Sequence, residues 1–231
     1  MDATGPGRRP AMIARWVILL LGLIAIAILF TLLSGEIGGE RRRYRLTVEL
    51  LTPAGPRTGA SVIEARKAWQ LPLMGASNVR YTIDGEAVRV DLGDGRVLYA
   101  LLMNEATQFE LPWFGARRGS VAPALPRSYS REEQAALWAE LVRSDAMVTL
   151  DAQDYPQLVT LANNSDPSSL AIVPTANVGT ALGRSHQLAR ITLQPTGDPV
   201  THTLRQRLPW LAEGAKPRLP GGVRTRDFVR E

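Results

Sequence analysis

Tyr44-Arg45-Leu46-Thr47-Val48-Glu49-Leu50 alternates apolar and polar side chains without a break. Successive side chains of a strand point to opposite faces, so this stretch predicts a β-strand with one face in a core and the other towards water. Thr52 to Gly59 then predicts a turn, because Pro53 and Pro56 fix φ and Gly55 and Gly59 admit backbone shapes closed to other residues. Ser61 to Trp69 reads as the return strand. Val79-Arg80-Tyr81-Thr82-Ile83 alternates again, and Asp84-Gly85 carries a hairpin signal. Ala87 to Leu92, the turn Gly93-Asp94-Gly95 and Arg96 to Met103 follow. Val97-Leu98-Tyr99-Ala100-Leu101-Leu102 is almost continuously apolar, which predicts a central strand covered on both faces. Strands at this spacing predict an antiparallel sheet, sandwich or partial barrel.

Beyond these strands the pattern changes. Leu111 to Arg127 holds Pro112, Pro123 and Pro126 with Trp113 and Phe114, and predicts an irregular connection folded over the core. An exposed Trp113-Phe114 pair would instead suit a membrane or a partner. Ser130-Arg131-Glu132-Glu133 is a capping box opening a helix to about Arg143, with Leu137, Trp138, Leu141 and Val142 on one face. Short strands return at Met147 to Leu150, Leu158 to Leu161, Ala171 to Val173 and Ala189 to Leu193. Leu208-Pro209-Trp210-Leu211 closes the domain. The expected class is mainly β with one or two helices, an α+β arrangement.

Ahead of the strands lies an uncharged apolar run, Trp16 to Leu33. At ~1.5 Å per residue it spans ~27 Å, close to a hydrocarbon core of ~30 Å. The sequence after it offers no small-residue cleavage pattern, so an uncleaved signal-anchor is expected rather than a removed signal peptide. Arg8, Arg9 and Arg15 precede the run, while Arg41, Arg42, Arg43 and Arg45 follow after a polar spacer. Arg15 abuts the run, which favours a cytoplasmic N-terminus and a periplasmic domain at the inner membrane. Arg15, Trp16, Arg41, Arg42 and Arg43 are the candidate membrane-interface residues. The layout expected is a cytoplasmic tail over 1–15, a transmembrane helix over 16–33, a juxtamembrane linker over 34–43, a β-rich extracytoplasmic domain over 44–213 and an extended basic tail over 214–231. In that tail Lys216, Arg218, Arg224 and Arg226 are candidate partner contacts, with Phe228 as an apolar end anchor.

The 231 residues include no cysteine, which excludes disulfides, thiolate metal ligands and cysteine nucleophiles. A net charge of +5 is spread along the chain, and aromatic content is low, so no nucleic-acid footprint is expected. The hairpin pattern over Tyr44 to Glu64, Leu158-Val159-Thr160 ahead of Asp166-Pro167, and Leu208-Pro209-Trp210-Leu211 together resemble small single-pass envelope proteins of Gram-negative bacteria, mainly alphaproteobacteria. That resemblance implies location and carries no activity.

The chemistry-bearing residues form no recognisable set. There is no G-x-S-x-G elbow, and His186 and His202 are the only histidines. His186 is expected on an exposed loop, and His202 near a strand. Sixteen residues apart and without a metal-ligand spacing, the two do not make a zinc site. Asp91, Asp94, Asp151, Asp154 and Asp166 read as turn and cap residues rather than a calcium cage. Glu64, Glu86, Glu105 and Glu110 are free carboxylates that only the fold could pair for glycoside chemistry. No cofactor is expected. The function expected is that of a membrane-anchored, non-enzymatic accessory, scaffold or binding subunit of an envelope complex, in contact with lipid and a membrane-protein partner. The alternative is a tethered hydrolase of an envelope glycan or ester.

Overall fold

The alternation around Tyr44 begins before its apolar half. In the computed structural model, which describes residues 16, 19–26, 28, 36–70, 79–104, 136, 139–140, 142–215 and 217–230, strand β1 runs Glu36–Thr52. Arg42, Tyr44, Leu46, Val48 and Leu50 are buried on one face, and Arg43, Arg45, Thr47 and Glu49 are half-buried on the other. The segment expected as a linker over 34–43 is therefore strand from Glu36 on. The turn after it is also tighter than expected. Only Pro53 and Ala54 separate β1 from β2 (Gly55–Gln70). Thr52 fixes this reversal: its hydroxyl donates to Gly55 O (2.8 Å) and accepts from Ala54 N–H (3.2 Å).

Gly59 is thus a strand residue, and its role is close approach rather than turning. A Cβ there would collide with the Arg89 carbonyl. Gly85 does similar work. It lies within β3 (Val79–Glu86) at φ +140, where a Cβ would sit 3.2 Å from Ile63 Cα. Asp84-Gly85 consequently makes no hairpin. The chain runs on through Ala87 directly into β4 (Val88–Asp91), leaving one sheet and entering another.

β5 (Val97–Asn104), β6 (Val148–Thr149), β7 (Pro156–Leu161), β8 (Leu170–Val173), β9 (Gln187–Pro195) and β10 (Val229–Arg230) complete the strands. A six-stranded sheet has the order β10-β3-β2-β1-β9-β6, and a four-stranded sheet has the order β4-β5-β7-β8. The pairings with a defined register are antiparallel, among them Leu46↔Leu193 between β1 and β9 and Tyr99↔Val159 between β5 and β7. The class is mainly β, with helices of only a few residues among 146–230. Chain contacts divide the protein into two units, Arg41–Arg66 with Tyr81–Glu231, and Met1–Glu40 with Lys67–Arg80.

Two apolar clusters lie in the larger unit, and β5 feeds both. Leu98, Ala100 and Leu102 join Tyr44, Leu46, Val48, Ile63, Val88, Leu158 and Ile191 in a cluster drawn from both sheets. Val97, Tyr99, Leu101 and Met103 join a second cluster with Leu204, Leu208, Trp210, Leu211, Leu219, Val223, Phe228 and Val229. The uniform hydrophobicity of this strand follows from that double cover.

The second cluster corrects the expectation of an extended tail over 214–231. Phe228 is fully buried, edge-on to Tyr99 (5.7 Å between ring centres) and to Trp210 (5.1 Å). Asp227, also fully buried, accepts from Arg224 N–H (2.8 Å) and closes the helical turn Thr225–Phe228. Val229 pairs with Glu86 as β10 joins β3, and Ala87 N–H donates to Phe228 O (2.7 Å). Few apolar residues are available in this segment, but nearly all of them are used.

In the smaller unit, residues 19–26 are helical. Leu19, Leu20, Leu21, Leu23, Ile24 and Ile26 are each 46–66% exposed, so no face of this stretch is covered. Among the described residues no helix is long and apolar enough to cross a membrane. Trp113 and Phe114 and most of the expected helix over 130–143 lie outside the described residues. Its described end, 142–144, is helical, and Val142 is exposed rather than packed.

Candidate functional site

The polar face of β1 carries Arg41, Arg43 and Arg45, two residues apart and so on one side of the sheet. Beside them β9 ends, and the segment 196–203 crosses back over the neighbouring strands. Thr196 N–H donates to Arg43 O (3.1 Å) of β1. Thr201 N–H donates to Val62 O (3.1 Å) of β2, and its hydroxyl accepts from Val62 N–H (2.9 Å). The buried Glu86 of β3 accepts from Thr203 N–H (2.5 Å), Thr203 Oγ1 (2.8 Å) and Leu204 N–H (2.7 Å). That carboxylate thereby meets the unpaired donors at the start of the helical turn Leu204–Arg207.

Between this crossing segment and β1 lies a cleft of about 760 Å³, lined by the three arginines, Glu64, Val142, Asp145, Gln194 and residues 195–198. Asp145 ends the helical stretch 142–144 at φ 49, a left-handed conformation that Asp tolerates. Its backbone and side-chain oxygens both accept from Gln194 (3.3 and 2.9 Å).

The cleft's charges are not equally available. Arg43 is fully engaged, donating twice to Glu64 Oε2 (3.2 and 2.7 Å) and once each to Gly197 O (3.3 Å) and Asp198 O (3.1 Å). Glu64 has its other oxygen on Arg66 Nε (2.6 Å). Burial pushes the Glu64 carboxyl up, but hydrogen bonds and charge from Arg43 and Arg66 outweigh it and hold the group below the usual glutamate range. Arg66 continues to Asp84 Oδ2 (3.4 Å), whose Oδ1 lies 3.4 Å from His202 Nε2. Arg45 pairs with Asp198 at the surface, where both side chains are well exposed. Arg41 is exposed and makes no ion pair among the described residues.

Other residues singled out from the sequence fall elsewhere. Among the interface candidates, Trp16 and Arg41 are exposed, Arg42 is buried with its own partner, and Arg43 is committed as above. Arg15 and Lys216 lie outside the described residues. Arg218, Arg224 and Arg226 are exposed, but Phe228 is in the core and so is no surface anchor. His186, expected on an exposed loop, is buried with Nδ1 3.2 Å from Gly183 O, because the turn Gly183–His186 folds its ring inward. Asp91, Asp94 and Asp166 cap their own turns, accepting from Gly93 N–H (3.0 Å), Arg96 N–H (3.0 Å) and Ser168 N–H (2.9 Å). The Gly93 N–H for Asp91, the Arg96 guanidinium and N–H for Asp94, and the Ser168 hydroxyl and N–H for Asp166 hold all three carboxyls below the usual range. Asp151 is exposed and Asp154 buried, while Glu105 and Glu110 lie outside the described residues. Among the described residues no three histidine or carboxylate groups converge as a metal site.

The cleft itself escaped the sequence reading, although its signal was present. Arg41, Arg43 and Arg45 continue the two-residue period of Tyr44 to Leu50, which places them on one face of one strand. No protein-family model, curated protein or solved structure matches the chain.

Proposed function

We propose that this chain is a single-pass, membrane-tethered accessory or binding subunit of a bacterial envelope complex, with its β-rich domain on the periplasmic side of the inner membrane. The observation that carries this reading is the exposed apolar helix over 19–26. Burying one Leu or Ile side chain is worth about 1.5–3 kcal/mol, so six left in water forgo on the order of 10 kcal/mol. A lipid environment removes that cost. In sequence the uncharged run continues from Trp16 to Leu33, which is long enough for one crossing. The basic residue next to it, Arg15, supports a cytoplasmic N-terminus. Within the cleft Arg43 and Glu64 are tied to each other and to neighbouring groups, a state suited to shape and binding rather than to proton transfer.

Alkaline phosphatase and β-galactosidase fused after Arg127 test the topology. Phosphatase activity without β-galactosidase activity is expected, and the reverse pattern would overturn the orientation. Arg in place of Ile24 should cost roughly 2.5–3.5 kcal/mol of insertion free energy and let alkali extract the protein. Crosslinking of the full chain in mild detergent should return a membrane-protein partner at constant ratio. Recovery of this chain alone would remove the accessory role.

A further inference from the structure

We infer that the cleft between β1 and the segment 196–198 is a binding site for a phosphate ester, held by Arg41 and Arg45. Of its three guanidinium groups, only Arg43 has its hydrogen bonds spent on the fold. Arg41 is free of ion pairs among the described residues, and Arg45 meets only the exposed Asp198. An exposed pair of that kind is weak and exchangeable. Asp198 therefore acts as the cleft's own stand-in anion, and an incoming anion takes its place on Arg45.

The spacing selects the chemistry. Arg41 and Arg45 are four residues apart on one strand face, roughly 13 Å between Cα atoms, so their side chains can converge on one group from opposite sides. A carboxylate offers one plane, which a single guanidinium fork satisfies. A tetrahedral phosphate offers oxygens in several directions and can accept from two forks at once. A cleft of about 760 Å³ holds much more than a phosphate, so the remainder of the ester sits along Gln194, Pro195 and Thr196. The lining carries as many carboxylates (Glu64, Asp145, Asp198) as arginines. Binding is for that reason weak until Asp198 leaves, and its removal should strengthen it. A lipid headgroup and a soluble phosphate ester share this chemistry.

The test uses the full chain in a detergent with an uncharged headgroup, titrated calorimetrically with inorganic phosphate and glycerol phosphate. A parallel arm follows the guanidinium NMR signals of Arg41 and Arg45 in nanodiscs of phosphatidylglycerol against phosphatidylcholine. Saturable binding of the soluble esters identifies a soluble ligand, and a signal change confined to phosphatidylglycerol identifies a headgroup. Either supports the site. Arg41→Gln with Arg45→Gln should abolish the response while leaving the melting temperature in place. Asp198→Asn should tighten it by up to about fivefold, the worth of one exposed ion pair. No response in either arm, or weaker binding by Asp198→Asn, would overturn the proposal. The site belongs to the domain alone, so its loss would leave the tether reading standing, and a failed topology test would leave the site standing.

Discussion

Replacing Phe228 by alanine should destabilise the domain severely, although the residue lies in a stretch dominated by Pro, Gly and Arg. The ring is fully buried and stands edge-on to both Tyr99 and Trp210. Removing it opens a cavity against two rigid aromatic neighbours. Tyr99 is held by its hydroxyl on Asn164 Oδ1 (3.1 Å), and Trp210 by its indole N–H on Asn164 O (2.9 Å). Neither ring can collapse into the gap without breaking a hydrogen bond, so the loss should fall in the range of about 3–5 kcal/mol seen for Phe→Ala in cores. A domain of ordinary stability has about 5–15 kcal/mol in total. At about 2–4 °C per kcal/mol for a chain of this size, the melting temperature should drop by roughly 6–20 °C. Thermal unfolding of the full chain in neutral-headgroup detergent, followed by near-ultraviolet circular dichroism, reads this directly. Deleting Gly214 to Glu231 should cost more still, because Leu219, Val223 and Val229 leave with Phe228. A Phe228→Ala protein melting within about 2 °C of the wild type would mean that the ring carries under 1 kcal/mol, and the second cluster would not be a core.

Two further outcomes follow from the fold. Gly59→Ala should cost about 1–3 kcal/mol, since the new Cβ meets a backbone carbonyl on β4 that can move only with its strand; Gly197→Ala, where a Cβ meets nothing within 4 Å, should leave denaturant midpoints nearly unchanged. The Glu64 carboxyl is held below its ordinary value, so its contribution is present above the unfolded-state pKa and fades as pH falls through the folded-state one. Both of its arginine partners are more than a third exposed on the side-chain scale or close to it (34% and 43%), so screening trims the worth of the network to about 1–2 kcal/mol. Glu64→Gln should lower stability at neutral pH and flatten its decline as pH falls below the ordinary glutamate range, and a decline as steep as the wild type's would remove Glu64 from the acid response.

How far the fold could be read in advance depended on whether its signal was local. The strands at Tyr44 to Leu50 and Val97 to Leu102 showed themselves because alternation, or its replacement by a continuous apolar run, is set by the residues' own faces. Asp84-Gly85 misled because a glycine can serve either a reversal or a close approach, and only the position of Ile63 decides between them. The C-terminal segment misled for a different reason. Leu219 and Val223 flank one short turn, and Phe228 and Val229 close another, so the four share no period. For the cleft, the three arginines were legible as one strand face. The crossing segment that roofs them was not, because its hydrogen bonds reach residues more than a hundred positions away.

The double cover of β5 has a consequence for what keeps this strand in place. In a half-buried strand a slip of one residue is punished at once, because it turns the oily face outward. Here the slip would exchange Leu98, Ala100 and Leu102 for Val97, Tyr99 and Leu101, and oil would still meet oil on both sides. Hydropathy cannot hold such an alignment. The turn into β5, closed by Leu92 N–H on Arg96 O (3.0 Å), sets one end of it, and bulk and hydroxyls set the rest: the small Ala100 faces one cluster, and beside it Tyr99 reaches Asn164 from the other. Exchanging those two neighbours would leave composition and mean hydropathy untouched, yet it would strike at the two side chains that tell this strand where to stop.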